Sequence, residues 1–251
     1  MPFAQAAGHR LEYRHFEGTH PPIVMLHEGL GSVSMWKGFP EEVARATGHE
    51  IWVYSRYGHG ESDPLPGPRQ PRYMHDEALD ALRDLLQSLG IERPILLGHS
   101  DGASIALIHA GAHPQALAGL IVLAPHVFVE DLSTRSIAAT GKAYFTTDLR
   151  TKLARHHRDV DHMFRGWNDI WLHPDFRRWN IEEYLPSIGV PVLAVQGRDD
   201  EYGTMEQLRR IVQAIPRTIV VELENCGHSP HRDQPEVVLA AICRFVPDCQ
   251  S

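Results

Sequence analysis

Cysteine is scarce. The 251 residues hold three, Cys226, Cys243 and Cys249, an odd number crowded at one end, which excludes a disulfide framework and makes a reducing cytoplasm the expected compartment. No apolar run approaches the ~18 residues that a membrane-spanning helix needs. Residues Met1 to Gly8 lack the basic start and long apolar stretch of a signal peptide. Positive charge is in deficit: 24 Lys and Arg against 32 Asp and Glu leave a net charge of -8. Neither nucleic acid nor an anionic membrane is therefore an expected partner, and a small-molecule substrate is. There is no internal repeat and no Gly/Ser linker. Histidine, by contrast, is abundant, with 17 residues scattered from His9 to His231. Only His156-His157 and His228-x-x-His231 are close, and neither carries the carboxylate or thiol pattern of a metal site, so no metal is expected.

What is present is a regular alternation. Apolar runs rich in β-branched residues recur at 23–26, 51–54, 95–97, 120–123, 190–195 and 218–223, each followed within three residues by Gly, His, Ser, Asp or Asn. Helical spacing fills 74–89, 102–113, 205–215 and 235–245. Strand alternating with helix predicts a doubly wound, mostly parallel sheet whose ligands gather at the strand C-termini. The alternation breaks between Pro125 and Ile188, where helical spacing continues without a convincing strand. Residues 1–125 and 190–251 therefore read as two parts of one core, and 126–189 as a helical cap. Trp167 and Trp171, four residues apart on one helix face, are expected to roof the site and line its substrate pocket.

The strongest local signal is Gly98-His99-Ser100-Asp101-Gly102, placed directly between a strand and a helix. Small residues flank the serine because a sharp strand-to-helix turn leaves no room for side chains, and the turn presents Ser100 Oγ above the sheet. A hydroxyl needs a base, and the base needs an orienting carboxylate. Asp199 and Asp200 end the strand after the insertion, and His228 follows the last strand, giving the chain order Ser, Asp, His.

In these elements the sequence resembles the α/β-hydrolase superfamily from Ile23 to Phe245, and the resemblance implies the α/β-hydrolase fold with a helical cap. The family pattern G-x-x-D, counted from Gly197, implies Asp200 as the acid in preference to Asp199. The pattern G-H-x-P implies His228 as the base, with His231 a rim histidine. His27-Glu28-Gly29-Leu30-Gly31 is similar to the family's H-G-x-x-G loop, implying an oxyanion hole made by the Gly29 and Asp101 N–H groups. Glu28 stands where glycine is common and adds a carboxylate expected to meet substrate. Arg56-Tyr57-Gly58-His59-Gly60-Glu61-Ser62 resembles a structural turn of the family. Ser55 replaces its usual aspartate, so an ion pair is missing, and His59 is expected to be solvated.

The reading that follows is a cofactor-free serine hydrolase of small carboxylic esters. Hydrolysis of a carbon-carbon bond in an aromatic ring-cleavage product is the alternative, and a non-catalytic ligand-binding module a minor one. If the Asp101 side chain faces the mouth with Glu28, the entrance is negative and favours neutral or cationic esters. If it turns inward, it pairs with an arginine or a helix terminus.

Overall fold

The computed structural model describes residues 2–249. Eight strands form one sheet: β1 (Phe3–Ala6), β2 (His9–Phe16), β3 (Thr19–Leu26), β4 (His49–Tyr54), β5 (Ile95–His99), β6 (Gly119–Leu123), β7 (Val192–Gly197) and β8 (Ile219–Leu223). Their spatial order is β1-β2-β4-β3-β5-β6-β7-β8. The β1/β2 and β2/β4 pairs are antiparallel and every other pair is parallel. Strand order reverses at β3, which lies between β4 and β5. A crevice opens at such a switch point outside the strand C-termini, and the loops that leave β3 and β5 meet there.

The strands are near-continuous apolar runs because both faces are covered. Val24, Leu26, Leu96, Leu120 and Val122 face one core, whereas Ile23, Met25, Ile95, Leu97 and Ile121 face the other. The second core is closed by α1 (Phe39–Thr47) and, at the end of the chain, by a helix carrying Val238, Ile242 and Phe245. On the first face a helical run begins as α2 (Tyr73–Asp76), passes through a π-helical stretch (Glu77–Ala81) and ends as α3 (Leu82–Ser88). The spacing predicted one regular helix over 74–89; the π stretch places Glu77 inward, buried against Arg69.

Helix α4 (Asp101–Ala112) follows β5 and is apolar on all sides, as its almost complete burial requires. Between β6 and β7 the chain leaves the sheet to form α5 (Asp131–Thr146), α6 (Leu149–Leu153) and α7 (Val160–Trp171), followed by two 3-10 turns. Its only strand-like feature among the described residues is one bridge, Phe128 to Asn180. Tyr144 and Phe164 stack at 3.7 Å between α5 and α7, and Asn168 Nδ2 donates to the Ile137 carbonyl at 2.9 Å. Helices α8 (Glu206–Ala214), α9 (Pro230–Asp233) and α10 (Pro235–Phe245) complete the chain. No helix among the described residues is long and apolar enough to cross a membrane.

Candidate active site

Ser100 sits at φ 53°, ψ -119°, between the end of β5 and the start of α4. That left-handed conformation is costly for a residue with a Cβ and persists only where the surroundings enforce it. They do so here by close approach. A Cβ on Gly98 would stand 2.5 Å from the Ala103 backbone, and one on Gly102 would stand 2.6 Å from the His27 carbonyl oxygen. The Ser100 N–H is held by the Leu123 carbonyl at 2.9 Å.

Three side chains from three strand ends converge. His228 Nε2 lies 2.8 Å from Ser100 Oγ, and His228 Nδ1 lies 2.8 and 2.9 Å from the two oxygens of Asp200. A carboxylate only accepts, so Nδ1 carries the proton and Nε2 is left to accept from the serine hydroxyl. Asp200 is fixed by three further donors: the N–H groups of Tyr202 (2.8 Å) and Gly203 (3.1 Å), and Gln196 Nε2 (3.2 Å). Asp199 is exposed. Burial alone would push the Asp200 carboxyl upward, but the His228 charge, its hydrogen bond and the Tyr202 N–H outweigh burial and hold it low. For His228, burial opposes the charged form. The neighbouring Asp200, with Glu201 and Glu28 behind it, prevails and raises the imidazole above its ordinary value.

The loop after β3 lies beside the serine. Gly29 and Asp101 both present N–H groups that donate to no protein acceptor among the described residues. The Asp101 N–H opens α4, where the helix dipole adds to its pull on an anion. Glycine is required at position 29 because the indole of Trp167 occupies the space of a Cβ. Trp171, one turn on, packs edge-on against His126, which itself lies 5.6 Å from the His228 ring. Both tryptophans thus face the site from α7.

Two expectations are corrected and one open choice is decided. Of the two orientations open to the Asp101 side chain, the inward one is found. It is buried, accepting from Tyr73 Oη at 2.7 Å and Trp171 Nε1 at 3.2 Å, with Arg56 Nη1 3.9 Å away. Arg56 thus has this carboxylate, and more strongly that of Glu77, as neighbouring anions. His59 is not solvated but 2 % exposed, with Nε2 on the Gly29 carbonyl at 3.1 Å. His231 is no rim residue either; it is buried between Trp36 and His99. The Glu28 carboxylate, partly exposed, lies 3.6 Å from His99 Nδ1. Burial works against its charge, yet His99 and His27 hold it well below the usual carboxylate range.

Several groups at the site escaped the sequence reading. His99 donates from Nε2 to the His228 carbonyl at 2.7 Å, and Tyr202 lies 4.8 Å from the His228 ring. His126 is pushed down to about 3, chiefly by burial and then by His228, and so is neutral at ordinary pH. His99 sits inside the elbow motif and His126 lies three residues past the end of β6, so position was the available signal. No motif marks Tyr202.

The Alpha/beta hydrolase family profile matches residues 23–241. A hydrolase of 2-hydroxy-6-oxononadienedioate and 2-hydroxy-6-oxononatrienedioate from Pseudomonas putida is 26% identical, with 87% of this chain and 85% of the relative covered. Two solved structures superpose along nearly the whole chain. A thermophilic esterase from Thermogutta terrifontis matches with TM-score 0.75 and 21% identity, covering 100% of this chain and 99% of that one. The enol-lactonase from Burkholderia xenovorans matches with TM-score 0.74 and 21% identity, covering 98% and 100%. A profile that runs from β3 into α10, over a mostly parallel sheet of this order, makes the chain a member of the alpha/beta hydrolase family of enzymes.

Proposed function

We propose that this hydrolase cleaves small carboxylic esters through an acyl-enzyme on Ser100, with residues 126–189 as the cap over the acyl pocket. The observation that carries the reading is the unbroken set of contacts from Ser100 Oγ through His228 to Asp200. Ser100 Oγ attacks the ester carbonyl carbon while its proton passes to His228 Nε2, and the new oxyanion takes the Gly29 and Asp101 N–H groups. Collapse expels the alkoxide, which leaves as an alcohol with that proton. Water then attacks the acyl-enzyme, giving a proton to Nε2, and the second collapse frees the acid and returns the proton to Ser100. No cofactor enters these steps, and a reducing cytoplasm fits three free thiols.

The carbon-carbon alternative asks for a cation to receive the carboxylates of a ring-cleavage dienoate. The charges that act most strongly on His228 are instead acidic: Asp200, Glu201 and Glu28. Arg56 is fully buried and engaged with the Glu28 carbonyl and Asp101. A field of this sign favours a neutral ester and repels the carboxylate product. The test is a chain-length series of p-nitrophenyl esters run beside one dienoate and one ω-carboxylate ester, with phosphonate titration of Ser100. Turnover of neutral esters with Ser100 labelled supports the proposal. A preference for the dienoate or the anionic ester overturns the ester reading, and absence of labelling and turnover overturns catalysis itself.

A further inference from the structure

Three successive carbonyls of the loop after β3 are each taken by a side chain. The Glu28 carbonyl accepts from His27 Nδ1 at 2.7 Å and from Arg56 Nη2 at 2.9 Å. The Gly29 carbonyl accepts from His59 Nε2 at 3.1 Å, and the Leu30 carbonyl from His157 Nε2 at 2.9 Å. The last donor comes from outside the core, in the segment between α6 and α7. His157 is 5 % exposed, and its Nδ1 accepts from the Gly60 N–H at 3.0 Å. An N–H facing Nδ1 leaves that nitrogen as acceptor, so the single imidazole proton sits on Nε2, where the Leu30 carbonyl needs it. Arg158 N donates back to the Gly60 carbonyl at 2.9 Å and His156 Nδ1 lies 2.8 Å from Ser34 Oγ, so this segment is pinned on both sides of His157.

Peptide geometry converts this into control of an N–H. In a trans peptide the C=O and the following N–H point in opposite directions. Fixing the Leu30 carbonyl on His157 aims the Gly31 N–H the other way, and that N–H donates to the Glu28 carbonyl at 3.0 Å. Fixing the Glu28 carbonyl in turn aims the Gly29 N–H away from Arg56 and His27. We propose that His157 is a positioning residue for the oxyanion hole: through the peptides 30–31 and 28–29 it sets the direction of the Gly29 N–H, so that the cap segment holds an element of the catalytic machinery. This rests on the serine hydrolase reading above. Burial, helped against by the Leu30 carbonyl, pushes His157 down to about 4, so the neutral form that the relay requires persists through the neutral range.

The test uses the full-length enzyme and His157→Phe, which keeps the ring volume and removes both hydrogen bonds. With p-nitrophenyl acetate, kcat should fall by about 10²-fold, the scale of losing one oxyanion donor, while KM stays put. Affinity for a trifluoromethyl ketone, which forms a tetrahedral adduct on Ser100, should fall in parallel. The pH at which His228 titrates should not move. A folded variant with wild-type kcat and adduct affinity, or one with raised KM alone, overturns the proposal. Should the variant fail to fold, ¹⁵N-histidine spectra of the wild-type enzyme decide it. His157 should be the Nε2–H tautomer, and that proton should move downfield when the adduct forms, because hydrogen bonds in series polarise one another. A protonated Nδ1, or an Nε2–H unchanged by the adduct, overturns it. A wild-type enzyme that forms no adduct refutes the hydrolase reading along with this one, whereas a normal adduct indifferent to His157 refutes this one alone.

Discussion

The indole N–H of Trp171 donates to Oδ1 of Asp101 at 3.2 Å, tying α7 to the residue that follows the proposed nucleophile. Tyr73 Oη donates to the other carboxylate oxygen at 2.7 Å. Asp101 is therefore an internal tie and not a surface charge. Replacing it with Asn turns an amide N–H₂ toward one of these donors and removes one of the two carboxylates, with Glu77, that act on Arg56. Equilibrium denaturation should show a loss of about 1–3 kcal/mol. The ratio of kcat/KM for a neutral ester to that for its ω-carboxylate analogue should not change. A shifted ratio would mean that this carboxylate is felt by substrate.

Ser100→Ala should abolish turnover by about 10³-fold or more, in line with the non-additive cost of losing a triad member. The hydroxyl packs against little beyond His228, so the melting temperature should be maintained. A variant retaining a tenth of wild-type activity would point to another nucleophile.

Asp200 accepts from four donors and donates to none. An Asn there presents N–H₂ to His228 Nδ1 and favours the wrong tautomer, for which a loss on the order of 10⁴ in kcat is expected. Asp199→Asn, on an exposed side chain, should leave kcat alone. The two variants assayed side by side settle which carboxylate orients the histidine.

In the proposed mechanism the base must be neutral to accept the serine proton, so activity should rise with pH through the His228 titration. Because Asp200, Glu201 and Glu28 raise that titration against the opposing effect of burial, the ascending limb of kcat/KM should lie above the ordinary histidine value of about 6.5. Glu28→Gln removes one of the raising charges and should move the limb to lower pH. His231→Ala should leave it in place, since burial keeps that imidazole neutral well below this range. A limb lost with His231 would reassign the base.

Much of the sheet was legible because parallel strands buried on both faces are unbroken apolar runs, as in Ile23 to Leu26 or Leu120 to Leu123. Strands β1 and β2 were not. Met1 to Pro22 mixes charged and aromatic residues, as in His9-Arg10-Leu11-Glu12-Tyr13-Arg14, and those strands pair by register at one side of the sheet. The proposed nucleophile, acid and base could be named from the sequence because each follows a strand and carries a local pattern. The residues whose surroundings the sequence did not supply share one property: their partners are distant in sequence. Nothing near Asp101 announces Tyr73, Arg56 and Trp171, and nothing near His59 announces the Gly29 carbonyl. A buried histidine is indistinguishable from an exposed one until the fold supplies its acceptor.

The close approach of Gly102 to the end of β3 has a mechanical meaning. The first turn of α4 rests on the Leu26 and His27 carbonyls, so the backbone that carries Ser100 and the loop that carries Gly29 have no gap in which to slide past each other. Thermal fluctuation of the sheet should therefore carry both along as one body with their separation conserved. On heating, reactivity toward a small phosphonate, which needs little room, should then persist until the sheet itself melts.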